Sequence, residues 1–261
     1  MVVQNSYTST LATGTEGQFA FERDKASVLS KEASDSRGLP FGRGVALADT
    51  AGGKVRNMQS DQAKYVMDAD FTTGNFTGNL VVNGVTNAFS IAFNASHLQS
   101  QQDAETAFEL IAGILSATID ATDVTNRTLI LQADPETDIS FNTLASSGVV
   151  FTVTNTDSKD AYGISTHQEN EPDSSGVAQY KDGEEVGVAR QAYIHMKTDA
   201  TLNPGDTAFL RFHEESGDDK KRGMLTATAG SSPTKAKIWA EAWIEKGATA
   251  GNLAIVGINL P

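Results

Sequence analysis

Alternation of apolar and polar positions dominates this chain, and it predicts strands far more often than helices. Leu80 and Val82, an Asn83-Gly84 pair, then Phe89, Ile91 and Phe93 read as a hairpin closed by a two-residue turn. Residues 128–132 and 148–154 predict two further strands, with a polar stretch between them. Further on, residues 186–196 and 207–213 are β-favouring runs on either side of Asn203-Pro204-Gly205-Asp206, where Pro presets φ and Gly accepts a positive φ. In the second run Ala208, Leu210 and Phe212 alternate with Thr207, Phe209, Arg211 and His213. Residues 224–228 predict a short strand. Residues 237–244 predict a longer one, with Ile238, Ala240, Ala242 and Ile244 on one face and Trp239, Glu241 and Trp243 on the other. The almost continuous apolar run at 253–260 fits a strand that is central or closes a barrel.

One stretch follows a different period. Ala104, Ala107, Phe108, Ile111, Ile114 and Leu115 recur at spacings of three and four behind Ser100 and Asp103, a capping-box pattern, and predict a helix over 101–118. Towards the N-terminus, LPFGRGVALA places Phe41 between Pro40 and Gly42, and continues into a strand through Val45 and Leu47. Residues 1–18 are rich in Ser, Thr, Gly and Gln, with Tyr7 and Leu11 as the possible anchors, and predict an extended arm. Such an arm is either a frayed terminus or a segment ordered against a neighbouring subunit. These elements define a mainly β fold: a barrel- or sandwich-like β domain carrying an inserted small α+β (ββαββ) module. The module is expected at 70–157, between β-domain segments 1–69 and 158–261, with two independent domains in linear order as the alternative arrangement.

Composition narrows the functions such a fold can carry. Cysteine is absent from the 261 residues, which removes disulfides, thiolate nucleophiles and Cys-based zinc sites. The 20 basic and 33 acidic residues leave a formal charge of −13, which opposes binding to nucleic acid or an anionic membrane surface. Lys220-Lys221-Arg222 follows Asp218-Asp219 and reads as a solvated loop. No leader pattern is present and no apolar run approaches the roughly 18 residues of a membrane span, so a soluble, unprocessed chain is expected. His97, His167, His195 and His213 have no recognised metal spacing; His213-Glu214-Glu215 is the nearest to one. There is no GxSxG elbow, and the glycines around Phe41 match no phosphate-binding loop. No catalytic residue, cofactor or metal is expected.

Three segments carry a family resemblance: SRGLPFGRGVALADTAGG, KDGEEVGVARQAYIHMKTDATLNPGDTAFLRF and the closing LAIVGINLP. Together they resemble the structural cement, or head decoration, proteins of tailed bacteriophages, which share a PFG-type segment, a strand pair joined by a PGD-type turn and a hydrophobic last strand. The stretch NLVVNGVTNAFSIAFN with its following helix is similar to small domains repeated in phage sheath and other structural proteins. The resemblance implies a non-enzymatic, β-rich subunit, typically a homotrimer, that sits on the outer surface of the virion capsid. There it would bridge neighbouring major capsid proteins. Tyr7, Arg37, Phe41 and Arg43 are the candidate capsid or subunit contacts, being of the residue types that dominate interfaces. The alternative is another virion or surface component, such as a tail, baseplate or carbohydrate-binding adhesin protein.

Overall fold

The computed structural model describes residues 15–20, 26–49, 51–134, 137–157, 159–167, 179–213, 222–230 and 235–260. The expected arm before Thr15, with Tyr7, lies outside the described residues, as do Glu214, Glu215 and the Asp218 to Lys221 run. The fold is mainly β. It opens with β1 (Ser27–Ala33), β2 (Leu39–Pro40), β3 (Gly44–Leu47) and β4 (Lys54–Asn57). Next come β5 (Gln62–Met67), β6 (Asn75–Val82), β7 (Val85–Ala92), α1 (His97–Glu109), β8 (Ile114–Ile119), β9 (Thr128–Ala133), β10 (Ile139–Ser146) and β11 (Phe151–Thr156). The chain ends with β12 (Ala161–Ser165), β13 (Gln179–Tyr180), β14 (Glu185–Lys197), β15 (Thr207–Arg211), β16 (Leu225–Thr226), β17 (Ala236–Lys246) and β18 (Leu253–Asn259). No helix among the described residues is long and apolar enough to cross a membrane.

The large sheet runs β1-β4-β3-β12-β14-β18-β17-β15-β16, and β1 also pairs with β14. That extra pairing makes a small barrel. The first half of β14 has β1 along one side, from Ser27 opposite Gln191 to Glu32 opposite Glu185, and meets β12 on the other through Val188 and Ala189. The second half, from Gln191 to Lys197, pairs with β18, and a bridge from Thr198 to Leu225 brings β16 back to the same strand end. Two cores result. Leu39, Phe41, Val45, Val55, Tyr180 and Val188 fill the first ring; Ile194, Met196, Leu210, Phe212, Trp239 and Val256 belong to the second.

Between Gln62 and Thr156 the chain builds a separate sheet pair, β11-β5-β9-β8 and β10-β6-β7, with α1 packed on β8 and β7. Its core draws on residues from Ala63 to Val153. The β6–β7 hairpin forms as expected: Asn83 and Gly84 both take positive φ, 48° and 79°, as a two-residue turn of this hand requires. The helix is shorter than its apolar spacing suggests. It starts at the N-cap Ser96, whose hydroxyl accepts the Gln99 N–H, and Ser100, expected near the cap, is buried in its first turns. It stops at Glu109 because Gly113, at φ 93°, turns the chain into β8, so Ile114 and Leu115 belong to a strand. The expected faces of β17 also change along its length. Trp239 is buried and Ile238 exposed, yet Ile244 is buried as expected, because the register with β15 shifts between the two ends.

Candidate functional site

The arm root and the LPFGRG segment meet at the seam between the two rings. Gln18 and Phe19 run beside β14: the Gly17 N–H donates to the His195 carbonyl (2.8 Å), the His195 N–H to Gln18 (2.9 Å) and the Ala20 N–H to Tyr193 (2.8 Å). Their other flank rests on the loop after β2. Gly17 and Gly42 face one another, both at positive φ, and a side chain on either would strike the other's backbone. Only glycine permits that approach. The Gly42 N–H donates to Ser165 and the His167 N–H to Gly17, which ties arm, loop and the end of β12 together.

Arg43 closes this contact by placing a guanidinium nitrogen 3.0 Å from a Glu16 carboxylate oxygen. Burial lowers the Arg43 pKa from its ordinary value, and Glu16 pulls it back up. Phe41 packs edge-on against Tyr180 and at a tilt against His167, both with ring centroids 5.0 Å away. The structure therefore brings Phe41 and Arg43 together at the arm root, and both are buried inside the subunit. Arg37 lies elsewhere. Its guanidinium sits 3.7 Å from Asp35 and 3.6 Å from Asp138, between the first ring and the loop before β10.

Sequence reasoning missed an exposed aromatic pair next to this root. Tyr193 on β14, Gly257 on β18 and Trp243 on β17 stand side by side in register, and the two rings meet edge to face at 5.9 Å. The indole lies in the space where a Cβ on Gly257 would stand. Each aromatic keeps 38% of its surface exposed. The available signal was Gly257 itself, a residue without a side chain inside an otherwise apolar strand.

Polar side chains join the two parts of the molecule. Asp157, fully buried, takes two nitrogens of Arg56 (2.9 and 3.3 Å) and accepts the N–H groups of Gln59 and Lys159, both at 2.9 Å. Burial pushes its pKa above the usual carboxylate value, against the pull of Arg56 and those hydrogen bonds. Asp138 accepts the Ser60 N–H at 2.8 Å. The histidines serve packing and backbone contacts: His97 accepts the Phe71 N–H and pairs with the Asn126 carbonyl, while His213 is buried. Among the described residues no three His, Asp or Glu side chains are grouped to hold a metal.

The fold is that of a β-rich subunit in which residues 15–20 are pinned against β14 beside an exposed aromatic pair. The chain belongs to the phage structural cement proteins, since the family model described as "Structural cement protein (E217 gp24/Pam3 gp6)" matches residues 109–259. It is thus a structural virion protein of a capsid-associated, generally non-enzymatic family. The match begins at the last residue of α1 and runs to the end of β18, so it takes in β8 to β11 of the sheet pair and leaves SRGLPFGRG outside. No curated protein matches the chain.

Proposed function

We propose that this protein binds the outer face of the assembled phage capsid and stabilises it by bridging neighbouring major capsid proteins, without catalysis. A subunit that binds the closed shell more tightly than free capsid protein shifts assembly by mass action, and a homotrimer multiplies the effect through linked contacts. The observation that supports this most is the arm root, pinned to β14 on one flank and to the Gly42 loop on the other. An arm that leaves the body from a fixed point loses less freedom on reaching a neighbour than one tethered loosely. Phe41 and Arg43 act in this reading as the anchor, Tyr7 as a contact, and Tyr193 and Trp243 as the adjoining surface. Arg37 holds the loop before β10 in place. The family match supports this assignment over a tail or carbohydrate-binding role.

Deletion of residues 1–14 tests the reading. The thermal midpoint should stay within about 1 °C of the full chain, equivalent to roughly 0.5 kcal/mol or less at this size. Binding to empty capsids, measured by co-sedimentation, should weaken at least tenfold, or about 1.4 kcal/mol per site. Full-strength capsid binding by both this deletion and Trp243→Ala would remove the arm and the aromatic pair from the interface. Failure of the full chain to bind capsids would sink the cement reading itself.

A further inference from the structure

From Phe71 to Gln102 the chain carries no Asp, Glu, Lys or Arg, although its net charge is −13. The structure turns this neutral stretch into a sheet edge. Among the described residues β7 pairs with β6 alone, in an unbroken register from Val82 opposite Val85 to Asn75 opposite Ala92. In a two-residue hairpin the closing pair exchanges its hydrogen bonds, so Val85, Asn87, Phe89 and Ile91 point their backbone groups at β6. Thr86, Ala88, Ser90 and Ala92 point theirs outward. These four have no backbone hydrogen-bond partner among the described residues, and their small side chains are exposed.

Two other edges of the same unit, β8 and β10, are blocked by side chains. On β8 the outward N–H groups of Ala117 and Ile119 donate to Glu109 and Glu105 of α1. On β10 the Asn155 amide takes both the N–H and the carbonyl of Phe141. Edge strands of soluble proteins are usually blunted by charge, proline or a bulge, and β7 has none of these.

We infer that the β7 edge is an interface with a second copy of this chain, the two strands adding antiparallel across a two-fold axis. Charge selects the occupant: two copies carrying −13 each repel over most of their surface, and the neutral hairpin is where they can approach without juxtaposing like charges. One register uses all four outward residues, with Thr86 opposite the partner's Ala92 and Ala88 opposite the partner's Ser90, each pair exchanging both N–H···O bonds. The small side chains face each other without collision. An isologous pairing of this kind is two-fold, and so it is a contact separate from any threefold assembly of the subunit.

Ala88→Pro removes an N–H that the fold does not use, at an edge position where proline is tolerated, and Ala88→Lys places a charge on the same edge. Sedimentation velocity over a concentration series should show the full chain doubling its mass, with the midpoint moved to at least tenfold higher concentration in both folded variants. Because the chain has no cysteine, a mixture of Ala88→Cys and Ser90→Cys chains should form disulfide-linked dimers faster than either alone. Equal association by wild type and Ala88→Lys, or loss of association on deleting residues 1–14, would overturn the self-pairing. So would amide protection at Thr86, Ala88 and Ser90 that appears only when capsids are added, since the edge would then belong to a capsid-protein segment.

Discussion

Between Ala63 and Val153 the core is a web of aromatic rings, whereas the flanking sheet is held by strand closure around mainly aliphatic cores with a few scattered aromatics. Tyr65 meets Phe76, Phe141 and Phe151 edge-on at centroid distances of 5.9, 5.6 and 5.6 Å, and Phe89 meets Phe108 at 4.8 Å. All of these residues lie within one continuous stretch of chain, from Gln62 to Thr156, whose strands pair among themselves. The flanking rings instead join β1 to β14 and β3 to β12, segments separated by the whole of the other unit. A region built on its own aromatic core does not need its neighbour. The flanking sheet needs both of its halves, and it meets the other unit through the polar contacts of Asp157 and Asp138.

The largest test of this contrast is removal of residues 62–155. The Asp61 N–H lies 3.1 Å from the Thr156 carbonyl, so a short Gly/Ser link can rejoin the chain there. The remaining β domain should unfold in one cooperative transition. A broad, non-cooperative melt would show that the two regions form one unit.

A smaller effect follows from Arg56→Met, which leaves Asp157 buried without its cation. The expected loss is about 3 kcal/mol by urea unfolding at neutral pH, and Arg56→Met with Asp157→Leu should recover most of it. Burial already raises the Asp157 pKa, so the Arg56→Met deficit should shrink in mild acid, where the lone carboxyl can protonate. A deficit independent of pH would mean that lost packing, not the uncompensated charge, dominates.

The smallest effect concerns His195, whose backbone carries the arm root. Burial, aided by Lys246, lowers its pKa below the ordinary 6.5. The unfolded chain therefore binds the proton more readily, so this contribution to stability is complete above about pH 6.5 and is lost as pH falls through the lower folded value. His195→Gln should flatten that part of the stability curve. An unchanged slope between pH 7 and pH 5 would assign it to other groups.

Legibility from sequence followed how local each determinant was. Asn83-Gly84 demands positive φ whatever surrounds it, and the hairpin was readable from six or so residues. The alternation of Ala63, Tyr65 and Met67 in β5 is equally plain but lies before residue 70, the expected start of the module. In the helix region Ile111, Ile114 and Leu115 satisfy a helical period as well as a strand, and only the turn at Gly113 decides. Phe41 and Arg43 stood out as interface residue types, but an aromatic ring and a guanidinium are equally suited to a core and to an anchor. The burial of Phe41 against Tyr180 and His167 depends on segments more than a hundred residues away, and that of Arg43 on Glu16 in the segment before β1. Strict alternation puts Trp243 on the same strand face as Trp239, and the register shift in β17 separates the two, burying Trp239 and exposing Trp243.

The double duty of β14 has a consequence for biosynthesis. Strands β1 to β4 leave the ribosome long before residues 185–197, and their ring cannot close without that strand. At about 5–20 residues per second the wait is on the order of ten seconds or more. Within that interval the whole unit from Gln62 to Thr156 has emerged, and its strand pairings and aromatic core are internal, so it can fold first. The early strands then remain tethered to a finished body, whose two ends already hold Asp61 against Thr156. That body presents β1 to β4 and the arriving β14 at one place, shortening a loop closure that would otherwise span the length of the insertion.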